Sequence, residues 1–309
     1  MGFLKSDKIR IYARELRINQ WIKNLVVLTA VIFSGKLFEW NLLSSSLYAF
    51  AIFCLLSSAS YVLNDIIDYP LDKKHPVKKN RPLASGQITM AQATFLVFIL
   101  TFASLVFSLF FSVSFFLLAF VFILLHFFYS LYLKKHAVVD IFTISFSFMI
   151  RTFAGEVVTG YHIPIWLLLT IFFISLFMAA VKRHAELVVQ GKEARLSLYY
   201  YKEHFLDFLT YTFGAATILA YATYTYSEKP PDVTTVFSHL FQGFFPVSEA
   251  RKWMMVTIPL VVYGISRYAQ LLYEKEQGER PEKIITTDIP LIVTIFLWGA
   301  IVIGLIYLF

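Results

Sequence analysis

Residues Ala49 to Arg81 read AFAIFCLLSSASYVLNDIIDYPLDKKHPVKKNR. The first half is an apolar stretch suited to a lipid bilayer. The second half gathers three aspartates, a histidine, four lysines and an arginine immediately behind it. So abrupt a change marks a membrane-buried helix emerging into water with chemistry attached to its end.

The rest of the chain supports that reading. Of its 309 residues, 58% are hydrophobic and 18% aromatic, and the mean hydropathy is +0.68. A soluble fold of this length needs more polar surface than this to cover itself. Apolar stretches of about 20 residues recur, each enough to cross a hydrocarbon core of about 30 Å. We place nine of them, at roughly 19–38, 43–66, 91–111, 113–133, 138–159, 163–182, 205–226, 253–273 and 288–309. They lack the period-two alternation of a membrane barrel. The predicted fold is therefore all-α: a polytopic bundle of nine transmembrane helices forming one integral membrane domain over 1–309. The opening residues 1–18, MGFLKSDKIRIYARELRI, are basic and have no secretory h-region. Ile9, Tyr12 and Leu16 fall at helical spacing there, which predicts an interfacial helix lying on the membrane. The single cysteine, Cys54, lies within the second apolar stretch, so disulfides are not expected.

Charge gives the direction. Of the 27 Lys and Arg residues, all but Lys36, Arg151, Lys229, Arg251 and Lys252 fall on one side of the alternating loops. By the positive-inside rule that side is cytoplasmic, with the N-terminus inside, and the location expected is the cell (inner) membrane. The basic balance follows membrane-flanking loops, so membrane lipids are the expected partners and nucleic acid is not. Whether the chain forms a homo-oligomer is left open.

Asp65, Asp68 and Asp72 stand at i, i+3 and i+7, and Asn64 is four before Asp68. On a continuing helix they share one face, at a C-terminal end whose dipole disfavours carboxylates. Clustered acids there call for a cation. Mg2+ is suitable, since it takes one or two carboxylates, keeps waters and completes its shell with phosphate oxygens. Pro70 kinks such a helix and changes the approach of Asp72. A lone aspartate here would be a solvated partner for lysine; this spacing beside so dense a basic segment favours a metal–phosphate site. Lys73, Lys78 and Arg81 then face phosphate oxygens that the metal leaves unneutralised.

The pattern NDxxDxxxD followed by HPxKxxRPLASG resembles the first aspartate-rich motif of the UbiA-type prenyltransferase superfamily. That resemblance implies nine helices around a central cavity facing the cytoplasm, and a diphosphate held through Mg2+. Further stretches resemble one branch, the decaprenyl-phosphate phosphoribosyltransferases. They are QWIKN at Gln20 to Asn24, which contains Lys23, YSLYLKK at Tyr129 to Lys135, and VVDIFTISFSFMIRTFAGEV from Val138. KRHAEL at Lys182 to Leu187 and SRYAQLL…GERPEKIITTD from Ser266 to Asp288 complete them. The branch implies transfer of 5-phosphoribosyl from phosphoribosyl diphosphate to a polyprenyl phosphate lipid. Prenyl-transferring members carry a second aspartate-rich motif. Here that place reads KRHAELVVQGKEAR, with Glu186 and Glu193 its acids and Lys182, Arg183 and Arg195 its cations. More cations and fewer carboxylates suit a donor with an additional phosphate.

Other candidates carry two readings each. Asp140 either pairs with Lys134 and Lys135 or belongs to the site. Arg151 lies deep in its span and must face protein or a wet cavity, binding a phosphate or pairing with Glu156. Tyr129 is a candidate cavity lining, against the commoner role of packing or anchoring. His75 and His184 read as hydrogen-bonding neighbours of the acids. One rival is a UbiA-type transferase moving a prenyl group to an aromatic or other small acceptor, which predicts two acidic motifs. A transporter is the other, and it predicts midplane charges on several helices.

The topology is directly testable. In a Cys54→Ala background, single cysteines replacing Lys74, Lys135 or Lys192 should react with a membrane-impermeant thiol reagent only in inside-out vesicles. Those replacing Lys36 or Pro231 should react only in right-side-out cells. Labelling of positions 74 and 192 from opposite sides would sink the nine-span topology.

Overall fold

In hydrocarbon every backbone amide must find its partner within the chain, and long apolar runs meet that demand as helices. The computed structural model describes residues 2–75, 77–191, 196–228, 253–274 and 287–307. Among them the helices are α1 (Gly2–Glu15), α2 (Thr29–Phe33), α3 (Trp40–Asp72), α4 (Met90–Phe111), α5 (Val113–Leu131), α6 (Val139–Thr159), α7 (Ile165–Gln190), α8 (Glu203–Ser227), α9 (Ile258–Glu274) and α10 (Ile289–Tyr307). No strand occurs among the described residues.

Seven of these helices, α3 to α8 and α10, are long and apolar enough to cross a membrane. The two other expected spans take different forms. The stretch expected at 19–38 is a 3-10 helix, Ile18–Leu28, running on into α2. With Lys8–Glu15 it makes a pair bent by 50°. The stretch expected at 253–273 is the 17-residue α9, entered through a 3-10 turn at Met254–Thr257.

Two helix ends also differ from expectation, and both concern charged residues. α3 continues to Asp72, with Pro70 in its last turn, so the whole aspartate series is helical. α7 continues to Gln190, so Lys182, Arg183 and Glu186 stand on a helix and not in a loop. Glu193, Arg195 and Arg280 lie outside the described residues. Between α4 and α5 a single residue, Ser112, ends one helix and caps the next, its Oγ accepting from Phe115 N at 3.1 Å.

The chain divides into two compact units. The first is Met1–Thr29, Asn41–Lys134 and Ile150–Gly160; the second is Ala30–Trp40, Lys135–Met149 and Tyr161–Phe309. In the first unit, Ala49, Ile52, Phe53 and Leu56 of α3 pack against Phe115, Ala119 and Phe122 of α5. The Phe53 and Phe122 rings meet edge to face at 5.1 Å. A smaller core of Val62, Leu83, Ile88 and Ala93 receives Ile11, Tyr12 and Leu16. Of the three residues expected to face the membrane from the N-terminal helix, only Ile9 is exposed, at 68%. Tyr12 and Leu16 turn onto the protein instead.

In the second unit α7 packs along α8, and α9 lies against both and against α10. Leu176, Phe177 and Ala180 of α7 meet Leu206 and Phe213 of α8, Tyr268 of α9 and Leu291 of α10. Tyr307 closes this unit: its hydroxyl donates to Ile32 O at 2.7 Å and accepts from Leu37 N at 2.9 Å. Phe98 and Phe102 of α4, Phe120 of α5 and Phe296 of α10 are exposed, as expected of residues facing lipid.

Arg151 is the deep charge of the first unit, 3% exposed on α6. Its Nε donates to Asn24 Oδ1 at 2.6 Å, its Nη2 reaches Ser57 Oγ at 3.3 Å, and its guanidinium lies 4.6 Å over the Phe122 ring. Asn24 in turn donates to Cys54 Sγ at 3.3 Å. A hydrogen bond to a charged group is worth about 1.5–3 kcal/mol. Asn24→Leu should therefore lower stability by about that much, visible in thermal unfolding of the detergent-extracted protein. A loss below about 0.5 kcal/mol would show that Arg151 does not depend on this contact.

Candidate active site

The end of α3 and the turn after it build a cluster within the first unit. Ser85 N donates to Arg81 O at 2.8 Å and Gln87 N to Pro82 O at 2.9 Å, and Gly86 takes a φ of +80°, a conformation open to glycine. This folds RPLASG back so that Leu83 and Ile88 enter the smaller core while Arg81 points at the aspartates. His75 organises the preceding turn, its Nδ1 accepting from Val77 N and Lys78 N at 3.2 Å each.

The four expected metal-side residues fall into two cation-bridged pairs. Asp65 and Asp72, both 3% exposed, share Arg81, whose Nη1 lies 2.9 Å from Asp65 Oδ1 and 2.6 Å from Asp72 Oδ2. Asn64 donates to Asp68 Oδ2 at 3.0 Å, and Lys134 Nζ reaches Asn64 Oδ1 at 2.9 Å and Asp68 Oδ1 at 2.6 Å. Residues four and seven apart on a helix meet in this way. Lys73 lies over the Tyr69 ring at 4.5 Å, and Lys78 is half-buried in the turn. Lys23 is half-buried on the 3-10 helix, and Tyr129 meets the His126 ring edge-on at 6.3 Å on α5.

Two participants had no signal in the spacing. Arg17 Nη2 contacts Asp65 Oδ1 across 48 positions of sequence. Its guanidinium lies 5.1 Å over the Tyr61 ring, and its backbone is left-handed at φ 50° and ψ 50°. Glu15, two residues earlier, is 1% exposed, and neither carboxyl oxygen has a hydrogen-bond partner among the described residues. Arg14 Nη2 donates to Asn80 O at 2.9 Å, tying the end of α1 to the turn.

The donor set suits Mg2+. Among the described residues no three acidic, histidine or cysteine side chains close into a ready-made cage. Hard carboxylate and amide oxygens converge on one helix end instead, as fits an ion that takes few protein ligands and completes its shell with water and phosphate.

A second cluster belongs to the second unit. Asp140, fully buried, pairs with Arg183 Nε at 3.0 Å and accepts from Ser197 Oγ at 3.1 Å and Tyr201 OH at 2.8 Å. Burial pushes the Tyr201 phenol well above its ordinary pKa, so it stays a donor. Val138 N donates to the same hydroxyl at 2.6 Å, from a backbone at φ 69°. For a β-branched residue that conformation is a true outlier. Arg183, 1% exposed, also contacts Glu186. Asp140 thus meets Arg183, and Lys134, its expected partner, sits on Asp68. His184 lies 3.2 Å from Asp207 Oδ1 with its ring 4.3 Å from that of Tyr273, which donates to Asp207 at 2.9 Å. Lys182 beside them is half-buried.

Comparison with known proteins agrees with these motifs. The model of the UbiA prenyltransferase family matches residues 25–186. The decaprenyl-phosphate phosphoribosyltransferase of Mycolicibacterium smegmatis is 33% identical over 92% of this chain and 89% of its own length. The enzyme of that name from Corynebacterium glutamicum is 29% identical over 96% of this chain and 86% of its own. Among solved structures, a UbiA homologue from Archaeoglobus fulgidus bound to GPP and Mg2+ superimposes with a TM-score of 0.67 at 19% identity, covering 96% of this chain and 99% of that one. Aspartate-rich helix end, membrane-length helices and end-to-end similarity together place the chain in the UbiA prenyltransferase family.

Proposed function

We propose that the protein transfers 5-phosphoribosyl from phosphoribosyl diphosphate to a polyprenyl phosphate, releasing diphosphate and giving polyprenylphosphoryl-5-phosphoribose. The observation that carries this reading is the similarity, over nearly the whole chain, to transferases named for a polyprenyl phosphate acceptor and a phosphoribosyl group. The cation-bridged aspartates of α3 support it. Transfer from C1 of a ribose needs departure of diphosphate, and the acceptor phosphate is already anionic at neutral pH. No strong general base is required.

In this reading Asn64, Asp65, Asp68 and Asp72 hold Mg2+, which supplies positive charge to the leaving diphosphate. Arg81 and Lys134, already against those carboxylates, contribute the donors that a multiply charged phosphate needs. Lys73 and Lys78 add positive charge to the same end of the first unit, and Lys23, on the 3-10 helix, is a further candidate for the substrate phosphates. Positive charge building at the ribose carbon is tolerated beside carboxylates. Arg183, matched by Asp140 and Glu186, has a structural part. We assign the two irregular stretches, Ile18–Leu28 with α2 and the 3-10 turn with α9, as two further spans, which gives nine. By the distribution of lysine and arginine, the end of α3 opens to the cytoplasm, where a charged donor is available; the lipid acceptor stays in the bilayer.

Membranes containing the protein, incubated with phosphoribosyl diphosphate labelled in the ribose and with polyprenyl phosphate, should transfer label to the lipid fraction. Label that enters lipid only when a prenyl diphosphate and an aromatic acceptor are offered would favour the prenyl-transferring alternative. Asp65→Asn or Asp68→Asn should reduce turnover at least about a hundredfold, some 2.7 kcal/mol in the barrier, and leave the extracted protein folded. Turnover within about threefold of wild type would remove these aspartates from the site.

A further inference from the structure

Asp65 and Asp72 are buried carboxylates whose neutralising charges come from side chains that are themselves partly open. Arg17 and Arg81 are each 26% exposed in the side chain, against 3% and 4% for the two acids. Both arginines bear on one oxygen, Asp65 Oδ1. A divalent ion that took Asp65 as a ligand would draw on the carboxylate that these two arginines already hold. Arginine and metal are therefore competitors here. We infer that Arg17 and Arg81 are resident counter-ions of the aspartates, which release them to a divalent ion only as they pass to the diphosphate of an arriving donor. This rests on the donor reading above.

The electrostatics make the exchange coupled. Metal alone would leave two guanidiniums beside a new dication with no anion to receive them. Diphosphate alone would set its charge against Asp65 and Asp72. Like charges at such range repel strongly where water is excluded. Both together give each charge a partner: carboxylates to metal, and forked guanidiniums to phosphate oxygens, which they match two bonds at a time. Arg17 is suited to the exchange by its backbone. A left-handed arginine is strained by about 1–3 kcal/mol and persists only where its surroundings demand it. The demand here comes from the flanking bonds: Ser58 Oγ donates to Leu16 O at 2.8 Å and Gln20 N to Arg17 O at 2.8 Å. They aim the side chain at Asp65 over the Tyr61 ring. That ring gives the guanidinium a face to turn on.

The test uses the purified full-length protein in detergent and reads thermal unfolding, with no turnover. Ligand that binds the folded state raises the midpoint. Mg2+ alone and inorganic diphosphate alone should each leave it nearly unchanged, and the two together should raise it clearly. Equal stabilisation by Mg2+ alone would overturn the exchange while leaving the donor reading intact. No response to the pair would sink both. Arg17→Gln and Arg81→Gln supply an independent arm. Each should lower the metal-free midpoint, and should tighten Mn2+ binding without diphosphate by about tenfold, read by the loss of the free-ion paramagnetic resonance signal. Mn2+ affinity equal to wild type in both variants would show that the arginines do not compete with metal. The wild-type measurement decides the matter even where a variant fails to fold.

Discussion

Carboxylates at the C-terminal end of a buried helix are held against their own environment. The helix dipole is negative there, and Asp65 and Asp72 are almost without solvent. Their charge is sustainable only because Arg17 and Arg81 reach them. Much of the local architecture of the first unit serves that requirement. RPLASG folds back at Gly86 to bring Arg81 in, Tyr12 of α1 and Leu16 just after it pack onto the smaller core to bring Arg17 in, and Arg14 ties the two at Asn80. Removing either cation from such a cluster would strand a buried charge, an effect of several kcal/mol. Structure at this end is thus bound up with the charge balance of the site.

The two most deeply buried arginines are handled differently. Arg183 has carboxylates, Asp140 and Glu186, and the acid is itself fixed by Ser197 and Tyr201. Arg151 is met by an amide, a hydroxyl and an aromatic face. A guanidinium is weakly hydrated and planar, so neutral acceptors and rings satisfy it better than they would an ammonium. The first arrangement keeps a local charge balance, and the second places a cation within reach of neutral partners. Arg183 therefore reads as a strut of its unit. Arg151 reads as a conditional element that the sequence could place by depth but not by partner.

Five membrane-length helices were legible almost to the residue, because their apolar runs end in charge or in Gly, Ser and Pro: α4 at Met90–Phe111 and α6 at Val139–Thr159 are examples. α7 overran its expected end because Val181, Ala185 and Leu187 keep a helical face among the charges of KRHAEL. In the site, the spacing read as one shared helix face for Asn64, Asp65, Asp68 and Asp72, and the structure resolves that face into two pairs, Asn64 with Asp68 and Asp65 with Asp72. Contacts made across long intervals had no such signal. Nothing at position 17 points to position 65, nor anything at 134 to 68. Asp140 meets Arg183, far along the chain, since a buried carboxylate takes a partner that is buried with it.

The departure at Ile18–Leu28 has a geometric origin that also explains Arg17. A 3-10 helix repeats every three residues and rises about 2.0 Å per residue, so Trp21, Asn24 and Val27 stand in line. An α-helix rises about 1.5 Å per residue. Three residues of the one therefore match four of the other, about 6 Å each. The contacts keep that step: Trp21 Nε1 donates to Ser58 Oγ at 3.0 Å, and Asn24 Nδ2 to Cys54 Sγ at 3.3 Å. Val27 follows into the core with Ala49, Ile52 and Phe53. Carried one step the other way, the register brings the start of the 3-10 helix opposite Tyr61 and Val62 on α3. Arg17 stands there, with Tyr61 beneath it and Asp65 one turn further on. An α-helical course would rotate Asn24 or Val27 out of line by about 60° per step and surrender the contact to Arg151. The three-residue period that seats Asn24 inside the unit is thus the same one that delivers Arg17 to the aspartates at its end.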